Sequence, residues 1–249
     1  KMKITYYHWG VQCPVINETL NILGEYKNKI DIEIIDFTMD HSICQSQQIY
    51  FPFLTVFNNK QRWFRPLDQR TIEDFLSGMK LIEKPHIRTW SNEVFAGKTQ
   101  VLTLENIQLV NKGCTLTNCS KSCTEKGRFL NENGLDTFGI VHVSEDKVVG
   151  GAEYMPSFKV PYDIPKNEGT AFLTCLYHSS EMFDYKSLPL KELEIILSLK
   201  FNSLIAVTDE VGSFPNGDLK WFLDRGYSDL GIISVEENYC TLHLVRKEL

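Results

Sequence analysis

The segment TAFLTCLYHSSEMFDYKSLPLKELEIILSLKFNSLIAVTD, Thr170–Asp209, reads as strand, turn, helix and strand. Its two ends, Ala171 to Tyr177 and Leu204 to Val207, are apolar and β-prone, as buried strands are. Between them Leu190, Leu193, Ile196 and Leu197 recur at helical spacing, which predicts a helix over 188–199. A strand that runs into a helix in this way offers free helix N–H groups to a phosphate. Loops of that kind are rich in glycine. This one has Tyr185, Lys186, Ser187 and Pro189, and no glycine. Three readings stand: a nucleotide or coenzyme site, the remnant of one, or a plain connection.

The chain has 249 residues, 43% of them hydrophobic and 23% charged, a globular composition with room for one large or two small domains. No apolar run is long enough for a membrane-spanning helix, so no membrane partner is expected. The formal charge of −6 argues against a nucleic-acid partner, which requires a basic face. The opening KMKITYYHWG enters a strand pattern at once and lacks the shape of a secretion signal. Seven cysteines, an odd number spread through the chain, read as free thiols of a cytoplasmic protein. Oligomeric state is not legible.

Upstream, residues 3–9 alternate like a strand, and CPVINETLNILGEY starts a helix with Pro14 in its first turn. DIEIIDF (31–37) and FPFLTVFNN (51–59) read as further strands, and TIEDFLSGMKLI (71–82) as a helix with Thr71 and Asp74 placed like a capping box. The order is β-α-β, then β-β-α. With Cys13 between strand and helix and Pro52 opening the third strand, it resembles the thioredoxin fold. QCPVINETLNIL resembles the glutaredoxin segment in which Cys-Pro-x-Cys starts the first helix, and YFPFLTVF the cis-proline strand. Ile16 stands where the second cysteine would be, so a dithiol cycle at that site is absent. Cys13 is either a redox thiol, activated by the helix N-terminus, or a leftover small apolar residue. Cys44 is a candidate distant resolving thiol.

The stretch 83–102 reads as a connection with room for one added strand. From residue 102 onward the strands LTLENI, TFGIVHV and KVVGGAEYM precede the opening segment, and DLKWFLDRGYSDLG and YCTLHLVRK follow it. This predicts a mixed, mostly antiparallel sheet with helices. The arrangement resembles the GNAT superfamily of acyl-CoA N-acyltransferases. WFLDRGYSDLG (221–231) is similar to the Phe-Tyr-x-x-x-Gly-Phe ending of those domains, EDKVVGGAEYMP to their central hairpin, and FLTCLYH to the splayed strand before the coenzyme loop. More narrowly, GCTLTNCSKSC, Glu153-Tyr154-Met155-Pro156 and Cys175 resemble YoaP-like GNAT proteins, in which a thioredoxin-like segment usually follows the GNAT domain; here it precedes it. The expected organisation is an α/β (α+β) protein: a thioredoxin-like domain at 1–84, a connection at 85–101 and a GNAT-like domain at 102–249.

The resemblance implies acetyl-CoA as cosubstrate, a small-molecule amine as acceptor, and direct acetyl transfer between them. It places the pantetheine amides against the backbone of Thr174, Cys175, Leu176 and Tyr177. GNAT coenzyme loops carry Gln/Arg-x-x-Gly-x-Gly/Ala; residues 178–190 do not match, and Pro189 lacks an N–H. Each lost charge-assisted hydrogen bond is worth about 1.5–3 kcal/mol, so losing one or two weakens binding by about one to four decades. Lys186 and Lys191 are the candidate compensating charges. Glu153 is the candidate base, or else a solvent-facing strand residue. The family's tyrosine acid falls on Phe222, which donates no proton, so Tyr227, Tyr185 or Tyr177 must replace it. Cys175 is either an acyl acceptor or a buried strand residue. Cys114, Cys119 and Cys123 could offer three thiolates, but with no Cys-x-x-Cys pair and no fourth ligand in view, no metal is expected. Two alternatives stand beside the enzyme: a catalytically degenerate GNAT-scaffold binding protein, and a thiol-redox module using Cys13.

Overall fold

A computed structural model describes residues 2–85, 87, 91–113, 120–213 and 216–249, leaving aside the side chains of 111–113, 120 and 121. The chain divides into two compact units. One comprises Lys1–Lys84, Cys119–Phe129 and Pro161–Asp163, and the other Pro85–Asn118, Leu130–Val160 and Ile164–Leu249.

In the first unit, β1 (Lys3–His8) leads to α1 (Pro14–Tyr26), β2 (Asp31–Asp36), α2 (His41–Gln47), β3 (Phe53–Phe57), β4 (Gln61–Trp63) and α3 (Gln69–Leu76). The four strands form one sheet in the order β2-β1-β3-β4, with β1 parallel to β2 and antiparallel to β3. Helix α1 starts where Pro14 presets the backbone and needs no N–H. It buries Val15, Ile16, Thr19, Leu23 and Tyr26 along one face. Ile16 is fully buried in the core with Ile4, Tyr6 and Phe53. An isoleucine there contributes about 1.5–3 kcal/mol by burial.

Three expectations change in this unit. The reading as β-α-β then β-β-α omits α2, whose sequence HSICQSQ is polar apart from Ile43 and Cys44. Asp40 starts α2 by accepting from the Ser42 N–H, and Gln48 ends it in the left-handed region. The cap of α3 is Asp68, which accepts from the Thr71 N–H at 2.8 Å and from the Thr71 hydroxyl at 2.7 Å, so Thr71 is a donor within the first turn. Among the described residues no peptide bond is cis, so Pro52 lacks the isomer that its resemblance implies.

The second unit contains β5 (Lys98–Thr103), α4 (Gln108–Gly113), the C-terminal end of α5 (Ser120–Glu132), β6 (Thr137–Ser144), β7 (Lys147–Pro156), β8 (Thr170–His178), α6 (Ser187–Leu197), β9 (Ser203–Asp209), α7 (Leu219–Leu223), β10 (Ser228–Glu236) and β11 (Cys240–Glu248). Strand β5 begins inside the stretch read as a connection. The seven strands form one sheet ordered β10-β11-β9-β8-β7-β6-β5. Every neighbouring pair is antiparallel except β8 and β9. That pair is parallel because α6 carries the chain back across the sheet between them. Leu190, Leu193 and Leu197 of α6 pack on Ala152, Leu173, Leu176 and Ala206, with Phe222 and Tyr227 in the same cluster. The turn that closes α7 passes through Gly226, whose φ of +83° allows the Tyr227 N–H to return to the Phe222 carbonyl.

Candidate functional site

The parallel pair is joined for only three residue pairs, Thr170–Ser203, Ala171–Leu204 and Phe172–Ile205. Beyond them β8 continues to His178 and β9 to Asp209, each held along its outer edge by β7 or β11. Their inner edges, 173–178 and 206–209, are not paired with each other, and the gap between them is termed the cleft. The register of β8 against β7 shifts at the same point: Tyr154 pairs with Leu173 and Glu153 with Cys175, so Thr174 is an extra residue. A bulge of this kind bends its strand and increases the local twist.

Strand alternation sorts the candidate residues by face. Leu176 and its partner Ala152 face α6. Cys175 and Glu153, and beyond them Tyr177 and Gly151, are cross-strand pairs on the opposite face. Gly151 permits that arrangement, since a Cβ there would lie 2.5 Å from the Tyr177 ring. Glu153 is 2% exposed, so it is not the solvent-facing strand glutamate that was one of its two readings. Cys175 is half-buried.

Tyr227 does not join them. It lies in the cluster on the α6 face, and its hydroxyl donates to Glu194 Oε1 at 2.9 Å. Burial, reinforced by Glu194, pushes its phenol well above the ordinary value. Lys247 Nζ binds the other Glu194 oxygen at 2.6 Å, so this is a closed structural network. Among the named tyrosines, Tyr177 shares a face with Glu153 and Cys175.

The start of α6 is already occupied by an anion. Asp184 accepts from the Lys186 N–H at 3.1 Å, from the Ser187 N–H at 2.9 Å, and from the Ser187 hydroxyl. Arg225 Nη2 donates to its second oxygen at 3.1 Å, and the Arg225 guanidinium stacks 3.7 Å from the centre of the Trp221 ring. Burial raises the Asp184 carboxyl. The Ser187 and Lys186 hydrogen bonds and Arg225 outweigh that and hold it below the usual carboxylate range. Pro189 has no N–H to offer, and the Leu190 N–H is bonded to the Lys186 carbonyl. Lys186, expected as a phosphate-binding charge, is 1% exposed with its ammonium 5.7 Å from the Trp221 ring centre. Lys191 is exposed on α6.

Within the cleft lies Asn216, which no periodicity in the sequence singles out. Its Oδ1 accepts from the Leu176 N–H of β8 at 2.9 Å, and its Nδ2 donates to the Val207 carbonyl of β9 at 3.1 Å. In the first unit Cys13 is the half-buried N-cap residue of α1, Cys44 is fully buried in α2, and Cys123 is fully buried in α5. Cys114 and Cys119 lie outside the described residues. Among the described residues no group of three or more His, Cys, Asp or Glu side chains could hold a metal ion, and no helix is long and apolar enough to cross a membrane.

No family model matches the chain, and no curated protein matches it in sequence. Solved structures do match. Aminoglycoside 6'-acetyltransferase type Ii is 14% identical with a TM-score of 0.45, over 61% of this chain and 96% of its own. Ribosomal-protein-alanine N-acetyltransferase from Brucella melitensis is 17% identical with a TM-score of 0.45, over 61% and 99%. An acetyltransferase of the GNAT family from Streptococcus pneumoniae is 11% identical with a TM-score of 0.44, over 61% and 98%.

Proposed function

We propose that the second unit is a GNAT-type acyltransferase domain of the YoaP-like kind that takes an acyl-CoA thioester in the cleft between β8 and β9 and transfers the acyl group to a small amine. The parting of the one parallel pair carries this reading. It leaves a strand edge whose alternate N–H and C=O groups can pair with an extended, amide-bearing ligand as a further strand would. In the transfer the amine nitrogen attacks the thioester carbonyl, a C–N bond forms and the C–S bond breaks. Glu153 takes the proton lost by the amine, and Tyr177, on the same face, gives a proton to the departing thiolate; the proton held by Glu153 then replaces the one Tyr177 gave, so the transfer is proton-neutral overall. Thr174, Cys175, Leu176 and Tyr177 provide the backbone edge, and Lys191 is the remaining cation on α6. The first unit is read as thioredoxin-like from its β2-β1-β3-β4 order and from Cys13 at the start of α1, with Cys13 a lone thiol and no dithiol partner at Ile16.

A second reading, a GNAT scaffold that binds without catalysis, is favoured by Asp184, whose carboxylate fills the helix start where a pyrophosphate would lie. One experiment separates the two: thiol release from acetyl-CoA across a panel of primary amines, with Glu153→Gln alongside. The enzyme reading expects amine-dependent release, reduced about 10²–10⁴-fold in the variant with acetyl-CoA binding retained. Binding without release for any amine supports the scaffold reading.

A further inference from the structure

We propose that Asn216 is a built-in occupant of the cleft, a side-chain amide that holds the place of a ligand amide and must withdraw before a thioester ligand can pair with β8. The proposal rests on the reading of the cleft as a thioester site and adds how entry to it is controlled.

Where two neighbouring strands part, each leaves backbone N–H and C=O groups that no longer meet across the gap. Buried groups of that kind find other partners. Here Leu176 and Val207 are both fully buried, so solvent does not satisfy them. The side chain that does is 1% exposed and inserts edge-on, its carbonyl toward β8 and its NH₂ toward β9. An Asn side chain carries a donor and an acceptor in one short planar amide, the same pair of groups that a backbone amide offers. Serine would reach one strand, and aspartate offers acceptors alone. Asn216 thus reproduces the secondary amide of an extended ligand lying between the strands. It uses the Leu176 N–H, which lies two residues beyond the Thr174 bulge on the edge such a ligand would need.

The backbone that follows Asn216 is anchored independently of its side chain. The Gly217 carbonyl accepts from the Thr208 hydroxyl at 2.7 Å, Asp218 bridges Asp209, and the Asp218 carboxylate caps α7 through the Trp221 N–H at 2.7 Å. Removal of the amide leaves these three anchors in place, and in this proposal the Asn216 side chain alone turns aside to uncover the Leu176 N–H. A ligand entering the wild-type cleft must break two hydrogen bonds that already exist. A cleft without the amide presents both groups unpaired. Two net hydrogen bonds correspond to tighter binding by about tenfold or more when Asn216 is truncated.

The test is titration of the full chain and of Asn216→Ala with S-acetylpantetheine, which carries the thioester and amides without the pyrophosphate. Exchange of the Leu176 amide hydrogen is followed in parallel. The expected result is binding at least about tenfold tighter in the variant, with Leu176 exchanging faster in the free variant and protected again by ligand. Equal or weaker binding in the variant, with the wild type binding, overturns the occupant role and leaves the thioester reading standing. Binding by neither protein at millimolar ligand overturns both. A measurement on the wild type alone covers a variant that does not fold. At saturating S-acetylpantetheine the Asn216 side-chain amide signals should move to solvent-exposed values, and signals that stay in place refute the withdrawal.

Discussion

Replacing Asp184 with alanine should destabilise the second unit by about 1.5–4 kcal/mol. The carboxylate has two roles, each of which can be given a magnitude. It satisfies the first N–H groups of α6, and loss of a cap of this kind costs about 0.5–2 kcal/mol. It also neutralises Arg225. Truncating one member of a fully buried ion pair costs about 3–5 kcal/mol. The Arg225 side chain, however, is 24% exposed against 4% for Asp184, and it keeps its bonds to the Ser187 hydroxyl and Trp221 carbonyl and its stacking on Trp221. About 1–2 kcal/mol is therefore assigned to that role. For a unit of this size the sum lowers the melting temperature by roughly 5–15 °C in scanning calorimetry. Asp184→Asn adds the pH dependence. The folded carboxyl sits below its ordinary value, so its contribution is present above the unfolded pKa and lost as pH falls through the folded one. The gap in melting temperature between wild type and Asp184→Asn should close as the solution is acidified. A shift under about 2 °C for Asp184→Ala at neutral pH would refute the assignment of this carboxylate as cap and counter-ion.

Two further outcomes follow from other groups. His243 lies between Asp229 (3.0 Å) and Glu210 (3.1 Å); burial lowers its pKa, but the two carboxylates overcome that and hold it above the ordinary value. Its contribution is complete below the unfolded pKa and lost as pH rises through the folded one, so His243→Gln should flatten the fall of melting temperature as pH rises from the ordinary histidine range of about 6.5. In the first unit, thiol labelling of the native protein followed by mass spectrometry should modify half-buried Cys13 well before Cys44 or Cys123, which are fully buried. Prior labelling of Cys44 would contradict its place in α2.

The elements that set the cleft were legible because their burial is simple. Strand β9 is buried at all seven positions and reads as an apolar run, and the α6 leucines recur at helical spacing. Helix α2 was not legible, because a helix that buries only Cys44 carries no apolar period. Lys186 reads as an exposed charge in sequence, since nothing in the chain order reveals that Trp221, 35 residues on, covers it. Asp184 could have been found: an Asp three residues before Ser187, at the entry to a helix, is a capping signal. The bulge at Thr174 sets which face each later residue of β8 occupies, and hence puts Tyr177 on the face of Glu153. It has no sequence mark, because it is defined only by register against β7.

Entry of an acyl thioester along the unpaired edge of β8 can be followed on the backbone amides of the full chain by NMR during titration with acetyl-CoA. Saturable shifts are expected at Leu176, Tyr177 and Val207, with the strongest change at the Leu176 amide as Asn216 gives up its hydrogen bond. Shifts confined to residues outside the cleft, or none at millimolar acetyl-CoA, would contradict such entry.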